Sequence, residues 1–306
     1  MSRHSDPVAH SVHDRLLALA TRQREDFNAV LARYGVERLL YRLTCTAHGP
    51  RFVLKGAALF VVWLGRAHRP TRDLDLLGSG QMDEAVIRGI FDDVCEVPVT
   101  PDGLHFDPAT ITVAPIRADQ EYGGLRVKVH GTLGTARVSV QVDVGLGDAV
   151  TPPPSAADYP TLLDLPAPRI KVYPRETVVA EKLDALMELG LLNTRLKDYY
   201  DLYVLAHHFA FEGTSLRGAL GATLTRRGRT MPRGTPVGLT DAFAGDPARA
   251  RQWAAFLRSH PLAGVPLELL LVVRGVEAFA APVIQAVGTE SPFTMLWPAG
   301  GGWQHG

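Results

Sequence analysis

The stretch LKGAALFVVWLGRAHRPTRDLDLL, residues 54–77, sets the architecture of this chain. Its first half, Gly56 to Leu64, is apolar, of helical length, and stops at Gly65. A polar loop, Arg66 to Arg72, leads into a strand, Asp73 to Leu77, closed by Gly78-Ser79-Gly80. Alternate side chains of a strand share a face, so Asp73 and Asp75 point one way and Leu74 and Leu76 point into a core. Two neighbouring carboxylates repel, and a divalent cation between them relieves the repulsion. Oxygen donors of this kind suit Mg²⁺ (or Mn²⁺), which commonly joins one or two carboxylates to substrate phosphates. The competing reading is chance, since two aspartates spaced by one residue are common.

Upstream, residues 12–45 read as helix: Leu16, Leu17, Ala20, Phe27, Val30 and Leu31 fall at helical spacing, and Leu39, Leu40 and Leu43 continue it. His48-Gly49-Pro50 breaks the pattern, and Phe52 to Leu54 is a short strand or helix lead-in. Downstream, 82–96 is helical. Strands follow at Leu104–Phe106, Ile111–Val113, Leu125–Val129 and Val138–Val144, the last two forming a hairpin turned near Gly131 and Gly134. The proline-rich Thr151 to Pro174 reads as a connection over the surface, with a short strand at Leu162-Leu163. Residues 175–220 and 248–285 are helical, separated by a Gly/Pro/Arg-rich loop at 226–238, and the tail PAGGGWQHG has the composition of a disordered end. This is not a βαβ alternation. It predicts an α+β fold with a mixed sheet in residues 1–150, a connection at 151–174, a helical region at 175–290 and a disordered tail at 291–306.

Composition narrows the function. Among 306 residues, 32 Lys and Arg balance 32 Asp and Glu, which excludes a polybasic coat but not a local patch. Cys45 and Cys95 are the sole cysteines, too few for a disulfide scaffold or a thiolate zinc site. No run approaches 18 apolar residues and the N-terminus lacks a signal core, so the expectation is a cytoplasmic protein with no membrane contact.

Further polar residues fall where chemistry needs them. In Arg137-Val-Ser-Val-Gln-Val-Asp143 the valines take one face and leave Asp143 on the other, a third carboxylate for a two-metal site or the end of a solvated face. On 178–190, Val179, Leu183, Leu186 and Met187 make a buried stripe with Lys182 at its edge and Glu181 pointing away. From that border Lys182 reaches a phosphate or snorkels to water. Asp198 and Asp201 share the face of Leu202, Leu205 and Phe209; Asp198 serves either there or as a first-turn cap, and Asp201, placed further inward, needs a partner, for which Lys182, Arg195, Lys197 or a metal-bound phosphate is available.

Other signals are weaker. His207-His208 face apart with no third ligand, and no nucleophile elbow, dinucleotide fingerprint or P-loop occurs. Arg226, Arg227, Arg229 and Arg233 form a dense basic patch, either a solvated loop or a seat for an RNA backbone.

Four blocks now stand in order: RFVLKGAALFVVWLG…HRPTRDLDLLG, VQVDVGLGDAV, YPRETVVAEKLDALMELG and NTRLKDYYDLYVL. Together they resemble the AbiEii/AbiGii-type nucleotidyltransferase toxins, which include the MenT toxins, over roughly residues 36–260. The resemblance implies a DNA-polymerase-β-like nucleotidyltransferase core in 1–150, Mg²⁺-dependent transfer from an NTP, and a cognate antitoxin. It makes Asp73 and Asp75 the metal pair, Asp143 the third carboxylate, Lys182 the lysine of the EK block, and Asp198 with Asp201 the aspartates of the (R/K)DxxDL block. The wider superfamily carries a Gly-Ser turn before its metal pair. Here Gly56 is followed by Ala57 and preceded by Lys55, so phosphate contact falls to backbone N–H groups at Gly56 or to Lys55.

The expected reaction is attack by an acceptor hydroxyl on the α-phosphate of an NTP, the acceptor being RNA and, from the resemblance, the tRNA 3′ end. Modification of a protein, a non-catalytic interaction protein on the same fold, and a metal-dependent nuclease are the alternatives.

Overall fold

The computed structural model describes residues 6–66, 69, 73–116, 123–231, 234–259 and 264–306. The chain divides into two compact units, Met1–Gly147 with Ser155–Val172, and Asp148–Pro154 with Tyr173–Gly306.

The first unit opens with α1 (Pro7–Gln23) and α2 (Phe27–Cys45). The single helix expected over 12–45 is two, because Arg24 turns left-handed and Asp26 caps the second helix by accepting the Ala29 N–H. Then come β1 (Phe52–Lys55), α3 (Leu59–Leu64), β2 (Asp73–Gly78), α4 (Glu84–Glu96), β3 (Leu104–Pro115), β4 (Leu125–Leu133), β5 (Ala136–Leu146), β6 (Ser155–Asp158) and β7 (Arg169–Val172). The seven strands form one mixed sheet in the order β3-β4-β5-β2-β1-β7-β6, with β2 parallel to β5 and β1 parallel to β7. The polar loop before β2 lies largely outside the described residues.

Two expectations change in this sheet. The short strands at 104–106 and 111–113 are one strand, β3, with a register shift between Asp107 and Thr112. The segment 151–174 is not merely a surface connection: it supplies β6 and β7 at one edge, with its prolines outside both strands, and Leu162-Leu163 is not a strand.

Val138, Val140, Val142 and Val144 of β5 are buried on one sheet face. α2 lies directly on them at Gly35, where an added Cβ would fall 2.4 Å from Val138 Cγ1. The polar side chains of β5, Asp143 included, therefore occupy the opposite face.

A buried charge network pins α2. Arg38 and Arg42 both donate to the Asp102 carboxylate, and Tyr34 donates to the Asp102 carbonyl. Burial alone would raise the Asp102 pKa, but the bonds from Arg42 and Arg38 hold it below the usual carboxylate value. Arg38 also donates to Pro166 O, and Glu37 accepts the Leu162 N–H at 2.7 Å. These two bonds draw the proline-rich segment against the helix.

The second unit holds α5 (Arg175–Leu189), α6 (Leu196–His208), β8 (Phe211–Glu212), α7 (Gly213–Arg226), α8 (Asp241–Ala244), α9 (Pro247–Ser259), α10 (Leu269–Gly288) and β9 (Leu296–Trp297). α10 is 20 residues long with a mean hydropathy of 1.6, which meets the length and composition of a membrane span. Here it is a core helix: Val272, Val273, Val276, Phe279, Ala280 and Val283 are buried, and α6 and α7 pack against it.

The tail at 291–306 is ordered rather than free. Trp297 pairs with Phe211 across the β8–β9 ladder and donates to Ala206 O, while Trp303 stacks on Phe279 and donates to its carbonyl. Two indoles burying large apolar areas outweigh the glycines that suggested disorder.

Candidate active site

β2 is the middle strand of the sheet, and its alternation places Leu74 and Leu76 in the core with Asp73 and Asp75 half-buried on the other face. Register carries a row of charges across four strands. Lys55 of β1 is opposite Asp75 of β2, Asp75 is beside Asp143 of β5, and Asp143 is opposite Arg126 of β4. Residues paired this way present their side chains on one face. The row reads cation, carboxylate, carboxylate, cation. Asp73 stands one step along, beside Gln141.

Gly56 follows Lys55 immediately and completes the seat. Its φ is +69°, and a Cβ there would lie 2.0 Å from Asp75 Oδ2. Both the backbone conformation and the space demand glycine. The next residues turn through one 3₁₀ step into α3, and Ala57, where the resemblance leads one to expect a serine, is buried.

Asp143 is held by Arg126 in a bidentate pair, Nε to Oδ1 at 2.8 Å and Nη2 to Oδ2 at 2.7 Å, with Gln141 also donating to Oδ1. Asp143's bonds, and then the fields of Asp73 and Asp75, raise the Arg126 pKa further above its ordinary value. Among the described residues, no three His, Cys, Asp or Glu side chains are placed to hold a metal ion. The expected metal set is Asp73, Asp75 and Asp143. Register aligns all three, but both oxygens of Asp143 serve Arg126. Asp73 and Asp75 remain a donor set suited to a hard cation that takes its other ligands from water and phosphate.

The second unit brings together its own expected residues. Lys182 of α5 donates at 2.7 Å to Asp198 Oδ1 and at 2.7 Å to Asp201 Oδ2, both on α6. Both aspartates are fully buried, and Arg195 adds a 2.7 Å ion pair to Asp198. Lys182 stretches from the stripe's edge toward these carboxylates rather than to water, and the partner Asp201 requires is Lys182. Glu181, expected to point away, is half-buried.

The model of the AbiEii nucleotidyl transferase toxin of type IV toxin–antitoxin systems matches residues 38–280, a span that contains every candidate residue above. The chain belongs to the AbiEii family. It is accordingly a nucleotidyltransferase and the toxin of a toxin–antitoxin system, which implies a nucleotide substrate and a cognate antitoxin. No curated protein sequence matches it. Among solved structures, JHP933 from Helicobacter pylori is similar at 15% identity over 83% of this chain and 90% of that one, with a TM-score of 0.47. A second H. pylori structure, described as a nucleotidyltransferase, aligns at 15% identity over 83% and 94%, with a TM-score of 0.45.

In this AbiEii-family toxin two arginines of the basic patch are engaged by carboxylates of the chain itself. Arg227 pairs with the fully buried Asp184, and Arg229 pairs with Asp184 and, at 2.6 Å, with Glu188. Their charges balance the protein's own carboxylates. Arg233 lies outside the described residues.

Sequence reasoning missed Asp184 and Arg126. The hairpin held a signal for Arg126: its two-residue turn is Gly134-Thr135, with Leu133 opposite Ala136, and counting back from there pairs Arg126 with Asp143.

Proposed function

We propose that this toxin transfers a nucleotide from an NTP to RNA in a Mg²⁺-dependent reaction on a polymerase-β-like sheet, with the tRNA 3′ end as acceptor and translation as the process blocked. The observation that carries the reading is the Asp73–Asp75 pair, half-buried on one face of the central strand, with Asp75 seated over Gly56. Asp73 and Asp75 would hold Mg²⁺, which when bound polarises the α-phosphate toward attack. Lys55, in register with Asp75, offsets phosphate charge, and the backbone N–H groups at Gly56 are the other phosphate contact. The acceptor hydroxyl releases its proton to solvent as its oxygen bonds the α-phosphorus, the α–β bridge breaks, and pyrophosphate leaves. In the second unit, Asp198 and Asp201 orient Lys182 as the family's second functional cation. Their engagement with Lys182 favours that role over general base catalysis.

The tRNA acceptor follows from the resemblance to MenT-like toxins, and a single-stranded 3′ end is narrow enough to meet a sheet-borne site. The test is incubation of purified protein with total RNA, Mg²⁺ and each labelled NTP, followed by intact mass of the tRNA. Added nucleotide mass on tRNA is the expected result. Protease-sensitive, RNase-resistant label would assign a protein acceptor instead, and shortened RNA a nuclease.

A further inference from the structure

Resting on the nucleotidyltransferase reading above, we propose that Arg126 is a phosphate-binding residue of this site, with Asp143 as the residue that positions it. Three observations carry this. The guanidinium commits Nε and Nη2 to Asp143, while Nη1 donates to no acceptor among the described residues. Half of a fork that matches phosphate geometry is therefore left over. The Arg126 side chain is 39% exposed against 17% for Asp143, so Arg126 is the more accessible member of the pair. Finally, register fixes Arg126 at the end of the charge row opposite Lys55, with the two strands bearing Asp75 and Asp143 between them.

A partly exposed ion pair contributes only about 0–1 kcal/mol to stability, so holding the sheet together is a weak reason for this arrangement. Its electrostatic effect on ligands is larger and has a definite sign. With Lys55, Asp75, Asp143 and Arg126 charged, the row is neutral; without Arg126 it is net negative. Arg126 thus opposes a bare cation and favours the anionic triphosphate. Because Asp143 already fixes the guanidinium, little side-chain freedom is lost when a phosphate binds.

Opposed effects on cation and nucleotide separate this role from a structural one. Mn²⁺ binding without nucleotide is measured by electron paramagnetic resonance. Binding of ATP, GTP, CTP and UTP in turn is measured by calorimetry at saturating Mn²⁺. Arg126→Gln is expected to weaken the best-bound nucleotide by roughly tenfold or more and to tighten Mn²⁺ by a few-fold. Arg126→Lys keeps the charge but not the fork, so Mn²⁺ affinity stays at the wild-type value while nucleotide affinity falls partway. That variant carries the test if the glutamine variant does not fold. Unchanged nucleotide affinity, or cation and nucleotide weakened together, overturns the proposal. Wild-type protein that binds neither Mn²⁺ nor any of the four nucleotides overturns the broader reading of this sheet, and the proposal with it.

Discussion

Asp75 occupies the space a side chain on Gly56 would need: its Oδ2 stands 2.0 Å from the point where that Cβ would sit. The strand that bears the carboxylate and the turn after β1 are therefore fitted to each other, and the fit fails with one methyl group. Gly56→Ala should displace the Asp75 carboxylate and force a residue with a side chain to φ +69°. The backbone strain costs about 1–2 kcal/mol, which a folded protein of this size tolerates. The displacement should cost about 10²-fold in transfer rate. Circular dichroism and a transfer assay on the same sample check both parts. Near-normal turnover would show that Asp75 does not need its seat.

Asp73→Asn and Asp75→Asn should each reduce Mg²⁺-dependent transfer by orders of magnitude while leaving the melting temperature close to that of the wild type. Both side chains are half-buried on the face away from the valine core, so an isosteric amide disturbs little packing. Full activity in either variant would remove that aspartate from the metal-binding role.

Lys182→Ala should cost stability as well as activity. It strips a cation from two fully buried aspartates, and breaking a buried pair costs about 3–5 kcal/mol. The double variant Lys182→Met with Asp201→Asn should recover much of the melting temperature without recovering transfer. Restored transfer would make the cluster purely structural.

The charge row and the Lys182 cluster differ in how far they could be read from residues alone. The Asp73–Asp75 face is legible because strand alternation is strict, and Lys182 because one apolar stripe defines its border. Asp184 is not legible, since α5 buries Val178, Val179, Ala180, Leu183, Asp184 and Ala185 and so is covered on more than one side. A single-stripe reading assigns such a residue to solvent. The break between α1 and α2 is hidden because apolar spacing runs on across Arg24 and Asp26, and only a left-handed residue and a cap interrupt the backbone. β6 and β7 were obscured by prolines that flank the strands without entering the ladder. What fixes that segment is long-range: a carboxylate and a guanidinium on α2 that no local pattern connects to it.

Glu37 should make stability depend on pH. Burial pushes its carboxyl up to about 7 from an ordinary value near 4.5, despite the Leu162 N–H and Arg38. The folded state thus favours the protonated form. Its contribution is fully present below pH 4.5 and is lost as pH rises toward 7, where it levels off. The loss amounts to about 3 kcal/mol. Glu37→Gln keeps an acceptor for Leu162 without the charge. Its melting temperature should match the wild type near pH 4.5 and exceed it increasingly up to pH 7. Parallel profiles across that range would show that Glu37 does not titrate in folding.

The chain does not lay down its seven-stranded sheet in one pass. Strands β1 to β5 are complete by residue 146, but residues 148–154 belong to the other unit, and β7 pairs with β1 through Val53 and Lys171. On a ribosome, where the N-terminal part emerges first, β1 therefore waits with an open edge until residue 172 has been made. The strand that waits is the one that ends in Lys55. A nascent or prematurely terminated chain of this toxin would carry both aspartates and Gly56 yet lack the neighbour that closes the sheet beside them. Completion of the enzyme is thereby deferred past the midpoint of its own synthesis.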